Sequence, residues 1–241
     1  IFHDFTGKAV LITGGTRGLG RNMALAVARQ GHDVLITYRS QQAEAAAVVA
    51  EIEALGQRAA ALPLDVGQSG SFEAFAEAVR VQLAAWNRDR VDHLVNNAGM
   101  GVHAGYAETT REQFDALVDV HFKGPFFLTQ VLLPLIADGG RIVNISSGLA
   151  RFALPGYAAY AAMKGAMEVL TTRNSMPSSP RRPRWAAWAS RTISAAWSPR
   201  CCRRPWGGST HNASKRRAGC SFKPLSLLPA RRGEGARRAC P

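Results

Sequence analysis

The chain has 241 residues and a formal net charge of +13, and its length suits one α/β domain. The charge divides sharply. Residues 1–172 hold 14 Lys+Arg against 16 Asp+Glu, whereas residues 173–241 hold 16 against a single acid, Glu234. No apolar run approaches the roughly 20 residues that cross a bilayer, and Ile1-Phe2-His3-Asp4 has neither a basic lead nor a long apolar stretch. The expectation is a cytoplasmic protein with no membrane partner, whose first few residues, before Ile1, are missing.

The first part alternates short β-branched apolar runs with longer amphipathic ones, the pattern of βαβ units and a parallel sheet. Val10-Leu11-Ile12 is a buried strand that runs into a Gly-rich turn, and a helix is predicted from Leu19 to Gln30, ended by Gly31. Val34-Leu35-Ile36-Thr37 is the second strand, followed by an Ala/Glu-rich helix that stops at Gly56. A third strand covers Ala59–Leu64 and ends at Asp65, and a third helix covers Ser71–Trp86. The fourth strand, Val91–Val95, runs into Asn96-Asn97-Ala98-Gly99. One long helix is predicted over Arg111–Ile136, a fifth strand over Arg141–Ile145, and a last helix from near Tyr157 past Lys164. The connections are long enough for right-handed helical crossovers. The fold class is therefore α/β, a doubly wound parallel sheet (Rossmann fold), with ligands at the carboxyl ends of its strands.

Three groups of residues carry chemistry. In Thr13-Gly14-Gly15-Thr16-Arg17-Gly18-Leu19-Gly20, between the first strand and first helix, glycine lets the backbone approach a phosphate, and the helix start supplies N–H groups. The second strand ends Thr37-Tyr38-Arg39-Ser40, without the acid that a ribose 2′-hydroxyl requires. Arg39 with Arg17 could clamp a 2′-phosphate, which favours NADP(H) over NAD(H); otherwise the two are solvated surface arginines. Tyr160 and Lys164 lie one helical turn apart on one face, and Ser147 sits at the end of the fifth strand. A phenol with a pKa of ~10 needs a neighbouring cation to act near neutral pH. The Ser147 hydroxyl could hold a carbonyl oxygen.

The glycine loop, Asp65-Val66, Asn96-Asn97-Ala98-Gly99, Ser147 and Tyr160-x3-Lys164 together resemble the short-chain dehydrogenase/reductase family, over residues 5–172. The resemblance implies reversible carbonyl reduction on a small-molecule carbonyl or alcohol, of the 3-oxoacyl reductase kind, by a homo-oligomer. It implies that Tyr160 donates the proton, Ser147 orients the carbonyl, and Lys164 lowers the tyrosine pKa and holds the nicotinamide ribose. Thr13, Gly14, Thr16, Arg17, Gly18, Leu19, Gly20, Arg39, Asp65, Val66, Asn97, Ala98 and Gly99 complete the cofactor set, with Asp65 at the adenine and Asn97 in the cleft. His121 stands where the family usually carries an Asn that completes a proton relay with the lysine. It either holds a relay water or is a packing histidine. Tyr157 precedes the motif, has no Lys four residues on, and is expected to be a pocket wall.

The resemblance stops after Thr172, so the family's last strands are expected to be missing. Pro177, Pro180, Pro183, Pro199 and Pro205 break helices and central strands there. Read one frame over, the codons allowed for Trp188–Cys202 and for Ser209–Phe222 permit two family-like C-terminal stretches, in order and in one frame. That points to a frameshift near residue 173 with a deletion. The expected organisation is a cofactor-binding domain over 1–172 and a disordered basic tail over 173–241. Cys201, Cys202, Cys220 and Cys240 lack a Cys-x2-Cys pair, so no metal is expected. The alternatives are an inactive truncated gene product, or a nucleic-acid binder acting through the Arg- and Trp-bearing tail. Out-of-frame translation explains that tail composition without a nucleic-acid partner.

Overall fold

The computed structural model describes residues 7–173. The expected tail over 173–241 lies outside the described residues, apart from Arg173 itself. Five parallel strands form one sheet: β1 (Ala9–Ile12), β2 (Asp33–Tyr38), β3 (Ala59–Pro63), β4 (Val91–Asn96) and β5 (Ile136–Asn144). Their spatial order is β3-β2-β1-β4-β5. The helices are α1 (Gly18–Ala28), α2 (Gln42–Glu53), α3 (Phe72–Ala85), α4 (Arg111–Val118), α5 (Gly124–Leu132) and α6 (Ala158–Arg173). The doubly wound α/β sheet read from the sequence is therefore the observed fold.

The sheet is apolar on both faces because alternate strand residues point to opposite sides. Val10, Ile12, Val34 and Ile36 pack with Leu25, Val48 and Ile52 of α1 and α2. Leu11, Leu35 and Leu94 pack on the other face with Phe72, Val79, Leu83 and Leu128 of α3 and α5. The order of strands reverses at β1, whose neighbours are β2 and β4. That reversal opens a crevice at the carboxyl ends of β1 and β4, the place where such sheets take ligands.

Two predicted elements differ. The single helix over Arg111–Ile136 is instead α4, a π-helical turn over Asp119–Lys123, α5 and a 3-10 turn over Leu133–Leu135. Pro125 has no N–H to give the carbonyl of His121, and Pro134 none to give that of Gln130, so the α-helical ladder cannot continue. The Gly124 N–H bonds the Asp119 carbonyl across the wider turn. A side chain at Gly124 would also collide with the Val66 carbonyl, which presses α5 against the loop after β3. The fifth strand starts earlier than expected. Ile136 pairs with Val91, an irregularity follows, and the ladder resumes with Arg141 opposite His93.

Candidate active site

The loop after β1 and the loop after β4 are tied together at the strand-order reversal. The Thr13 hydroxyl accepts the N–H groups of Asn97 and Ala98, each at 2.9 Å. The Asn97 side-chain amide donates to the carbonyls of Thr13 (2.9 Å) and Gly14 (3.0 Å). The hydroxyl of Thr37, at the end of β2, accepts the Gly14 N–H at 3.1 Å. Gly14 and Gly18 have φ of +66° and +55°, a region that favours glycine. A Cβ on Gly20 would overlap the Gly14 carbonyl and lie 2.6 Å from the Asn97 amide nitrogen. Around Gly18 nothing lies within 4 Å of that position, so the turn faces open space. Gly15 is packed against Ile36 and Gly99 against His121. Thr16 is buried, Leu19 exposed.

Arg17 and Arg39 are both exposed, and their side chains make no hydrogen bond or ion pair among the described residues. Asp65 accepts the N–H of Gly67 at 2.9 Å, which fixes the turn after β3, and Val66 is buried beside it. Of the residues read from the sequence as a cofactor set, Gly18, Leu19 and Gly20 open α1, Lys164 lies in α6, and the others lie on the loops that follow β1 to β4.

The second group meets at the ends of β5 and α6. The Ser147 hydroxyl accepts the Leu149 N–H at 3.2 Å, which caps the turn after β5. It also lies near enough to the Tyr160 hydroxyl to favour the phenolate form. Lys164 is buried, donates from Nζ to the Ile145 carbonyl at 2.8 Å, and lies 5.6 Å from the centre of the Tyr160 ring. Burial lowers the lysine pKa to about 8. Burial also pushes the Tyr160 phenol up, against the opposing effect of the neighbouring Ser147 hydroxyl. The lowering by Lys164 that the family resemblance implies is not among the effects that dominate at this phenol. In this structure the ammonium is directed at the Ile145 carbonyl, and desolvation dominates at the phenol.

His121 comes from the π-helical turn and joins this group. It is 2% exposed, and its ring meets that of Tyr160 edge-on with centroids 5.1 Å apart. Nε2 lies 2.6 Å from the Met100 carbonyl oxygen and 3.2 Å from the Met100 nitrogen. The Met100 N–H is directed at Nε2 at the longer distance, but at the shorter one an unprotonated Nε2 would set lone pair against lone pair; the shorter contact decides, so we assign the proton to Nε2, which donates to the carbonyl. Nδ1 is then a bare acceptor, buried with no partner among the described residues. Burial first, and the Lys164 charge second, lower its pKa to about 4. Tyr157 stands beside Tyr160 with centroids 6.4 Å apart.

Sequence reading missed a polar chain across the sheet beneath the site. The Asn96 amide donates to Thr129 (3.1 Å) and Asn144 (2.8 Å), and Asn144 donates to Thr171 (2.9 Å). It joins α5, β4, β5 and α6 just below Asn97 and Ser147. Asn at the two aligned strand positions was the available signal, but it becomes legible only when Asn96 is known to pair with Asn144.

The family model for short chain dehydrogenases matches residues 8–185, somewhat past the point where the resemblance was read to end. The chain belongs to the short-chain dehydrogenase/reductase family. The short-chain dehydrogenase/reductase FrzI of a Cladobotryum species is 39% identical over 164 residues, covering 68% of this chain and 62% of that protein. The tetrahydroxynaphthalene reductase PfmaG of Pestalotiopsis fici is 35% identical over 165 residues, covering 68% and 58%. The crystal structure of landomycin C-6 ketoreductase LanV with bound NADP and rabelomycin superposes with a TM-score of 0.68 at 37% identity, covering 70% of each chain. The matched part of this short-chain dehydrogenase thus spans about three-fifths of the length of these curated relatives. None of its described helices is long and apolar enough to cross a membrane.

Proposed function

We propose that this chain is an NADP(H)-dependent oxidoreductase that reduces a ketone or 3-oxoacyl group of a small molecule to an alcohol. The observation that carries the reading is the convergence of Ser147, Tyr160 and Lys164 from β5 and α6. Relatives of the kind named above, a hydroxynaphthalene reductase and an NADP-bound ketoreductase, support it.

The loops fit the cofactor. Gly18 leaves open space at a helix start, where N–H groups and the positive end of the dipole favour a phosphate. Thr13, Gly14, Thr16, Leu19 and Gly20 would form the cradle. Arg17 and Arg39, two cations with no partner among the described residues, would take a 2′-phosphate. Asp65 and Val66 would border the adenine, and Asn97, Ala98, Gly99 and Lys164 the nicotinamide half. When bound, the cofactor supplies the hydride.

The protein's own residues handle the proton. Tyr160 remains protonated at neutral pH because it is buried, and so can donate to a developing alkoxide. Ser147 holds the carbonyl oxygen in place and bonds the phenol oxygen as it loses its proton. Lys164 carries a positive charge below about pH 8, which favours the phenolate left behind. His121 stays neutral, and its bare Nδ1 is an acceptor for a water in a proton relay with Lys164. Assembly into a homo-oligomer fits the same reading, since α4 and α5 leave Phe114, Phe126 and Phe127 exposed.

The test is NADPH oxidation by the full chain with ketone substrates, comparing Tyr160→Phe with Tyr157→Phe. Loss of ~10²–10⁴-fold in Tyr160→Phe alone supports the assignment. Loss in Tyr157→Phe alone would name the other tyrosine as donor. A chain that neither binds NADPH nor oxidises it is the inactive gene product.

A further inference from the structure

Three consecutive residues where β5 ends are fastened to one face of α6. The Asn144 amide donates to the Thr171 hydroxyl at 2.9 Å, and the Ile145 carbonyl accepts from Lys164 Nζ at 2.8 Å. The Ser146 hydroxyl donates to Glu168 Oε1 at 2.9 Å. Lys164, Glu168 and Thr171 follow one another at helical spacing along that face. Because α6 also bears Tyr160, these bonds set the register between the helix of the proposed proton donor and the strand end that leads into Ser147.

The bond at Ser146 has a second arm. Glu168 Oε2 lies 3.5 Å from Arg151 Nη2, so one carboxylate holds residues on both sides of Ser147. Ser146 precedes that serine, and Arg151 closes the 3-10 turn Gly148–Ala150 that follows it, with its N–H on the Gly148 carbonyl at 2.9 Å. Within the turn the Ala150 N–H bonds the Ser147 carbonyl at 3.0 Å, and the Leu149 N–H the Ser147 hydroxyl at 3.2 Å. The two arms are unequal. The Arg151 side chain is 53% exposed, so its pair with Glu168 is long, screened and weak. The Ser146 bond is partly buried and ends on a carboxylate, which makes it the stronger arm.

We propose that Glu168 is a positioning residue for carbonyl reduction: through Ser146 it holds the Ser147 hydroxyl in register with Tyr160. The inference rests on the reading of the site as a carbonyl reductase, and it adds a residue that reading does not use. Glu168 lies two helical turns beyond Tyr160 on α6 and acts through Ser147, not on the carbonyl itself. Without the bond, the turn that carries Ser147 can shift along α6. The serine then leaves the place where it meets the carbonyl oxygen together with the phenol, and the loss falls on the transition state.

Single turnovers of NADPH with the acetoacetyl thioester of N-acetylcysteamine test it, run with the full chain in excess so that slow variants stay measurable. Ser146→Ala and Glu168→Leu should each slow the reaction about tenfold, with half-saturation by the thioester changed less than about twofold. Glu168→Gln keeps an acceptor for the Ser146 hydroxyl and should stay within about threefold of the unmodified chain, as should Arg151→Gln, which removes only the weak arm. NADPH affinity, read by fluorescence titration, should be unchanged in all four, which shows that the nucleotide site is still formed. In a Ser147→Ala background, Ser146→Ala and Glu168→Leu should cost less than about twofold more, because the group they position is gone. Should Glu168→Leu not fold, Ser146→Ala carries the same comparison. A tenfold loss that persists in the Ser147→Ala background, or no loss from Ser146→Ala and Glu168→Leu, overturns the proposal while the reductase reading stands. Failure of the unmodified chain to consume NADPH removes that reading and this inference with it.

Discussion

The imidazole of His121 meets the phenol ring of Tyr160 at 84°, with its Nε2 2.6 Å from the carbonyl oxygen of Met100. A histidine fixed this way beside the proposed proton donor is held neutral, because a second proton on the ring would be buried next to the Lys164 ammonium.

The pH dependence of folding follows from that contact. The pKa falls from 6.5 to about 4 on folding, so the unfolded chain binds more protons between those values. The His121 contribution to stability is intact above pH 6.5 and is lost as the pH falls toward 4, by up to about 3 kcal/mol. Urea unfolding at pH 7 and pH 4 should therefore show a smaller loss for His121→Asn than for the unmodified chain. Equal losses would show that the ring is not buried in its neutral form.

Lys164 gives a second pH signature. Its pKa is lowered to about 8, so the ammonium is lost as the pH rises through that value. Tyr160 is shifted upward and keeps its proton there. For ketone reduction kcat/KM should decline with rising pH with an apparent pKa near 8. Lys164→Arg, which keeps its charge, should remove that limb of the profile even where turnover is reduced. A limb that persists in the arginine variant would belong to another group.

Cofactor choice is carried by Arg17 and Arg39. Arg39→Asp replaces a cation that would pair with a 2′-phosphate by an acceptor for a ribose hydroxyl. Fluorescence titration at fixed salt should show NADPH binding weakened by about 10–100-fold and the preference turned toward NADH. Equal affinity of the unmodified chain for both nucleotides would remove the assignment.

Gly20 tests the loop itself. A methyl group there meets the Gly14 carbonyl and the Asn97 amide, both backbone-anchored at the strand-order reversal. Gly20→Ala should destabilise the domain by about 1–3 kcal/mol and abolish nucleotide binding. Gly18→Ala meets no neighbouring atom and pays only for its φ of +55°, so its melting temperature should fall less. The ranking would be reversed if the loop opened freely in solution.

The sequence alone determined the α/β class and the order of the strands along the chain, and it named the residues proposed for the site. These follow from local pattern: Val10-Leu11-Ile12 must be buried on both faces, the glycines of Thr13–Gly20 have few other uses in that place, and Tyr160 and Lys164 share a face by helical geometry. Tertiary structure decided everything that depends on a partner distant in the chain. It broke the long helix at the π-helical turn and so aimed His121 at Tyr160, 39 residues later in sequence. It directed Lys164 at the Ile145 carbonyl and buried the Tyr160 phenol, and that burial raises the phenol pKa. It also brought His103 onto Tyr157 through a loop contact that no periodicity encodes. The physical division is plain: burial and backbone conformation leave a periodic trace in the sequence, whereas desolvation and side-chain contact depend on which segments the fold brings together.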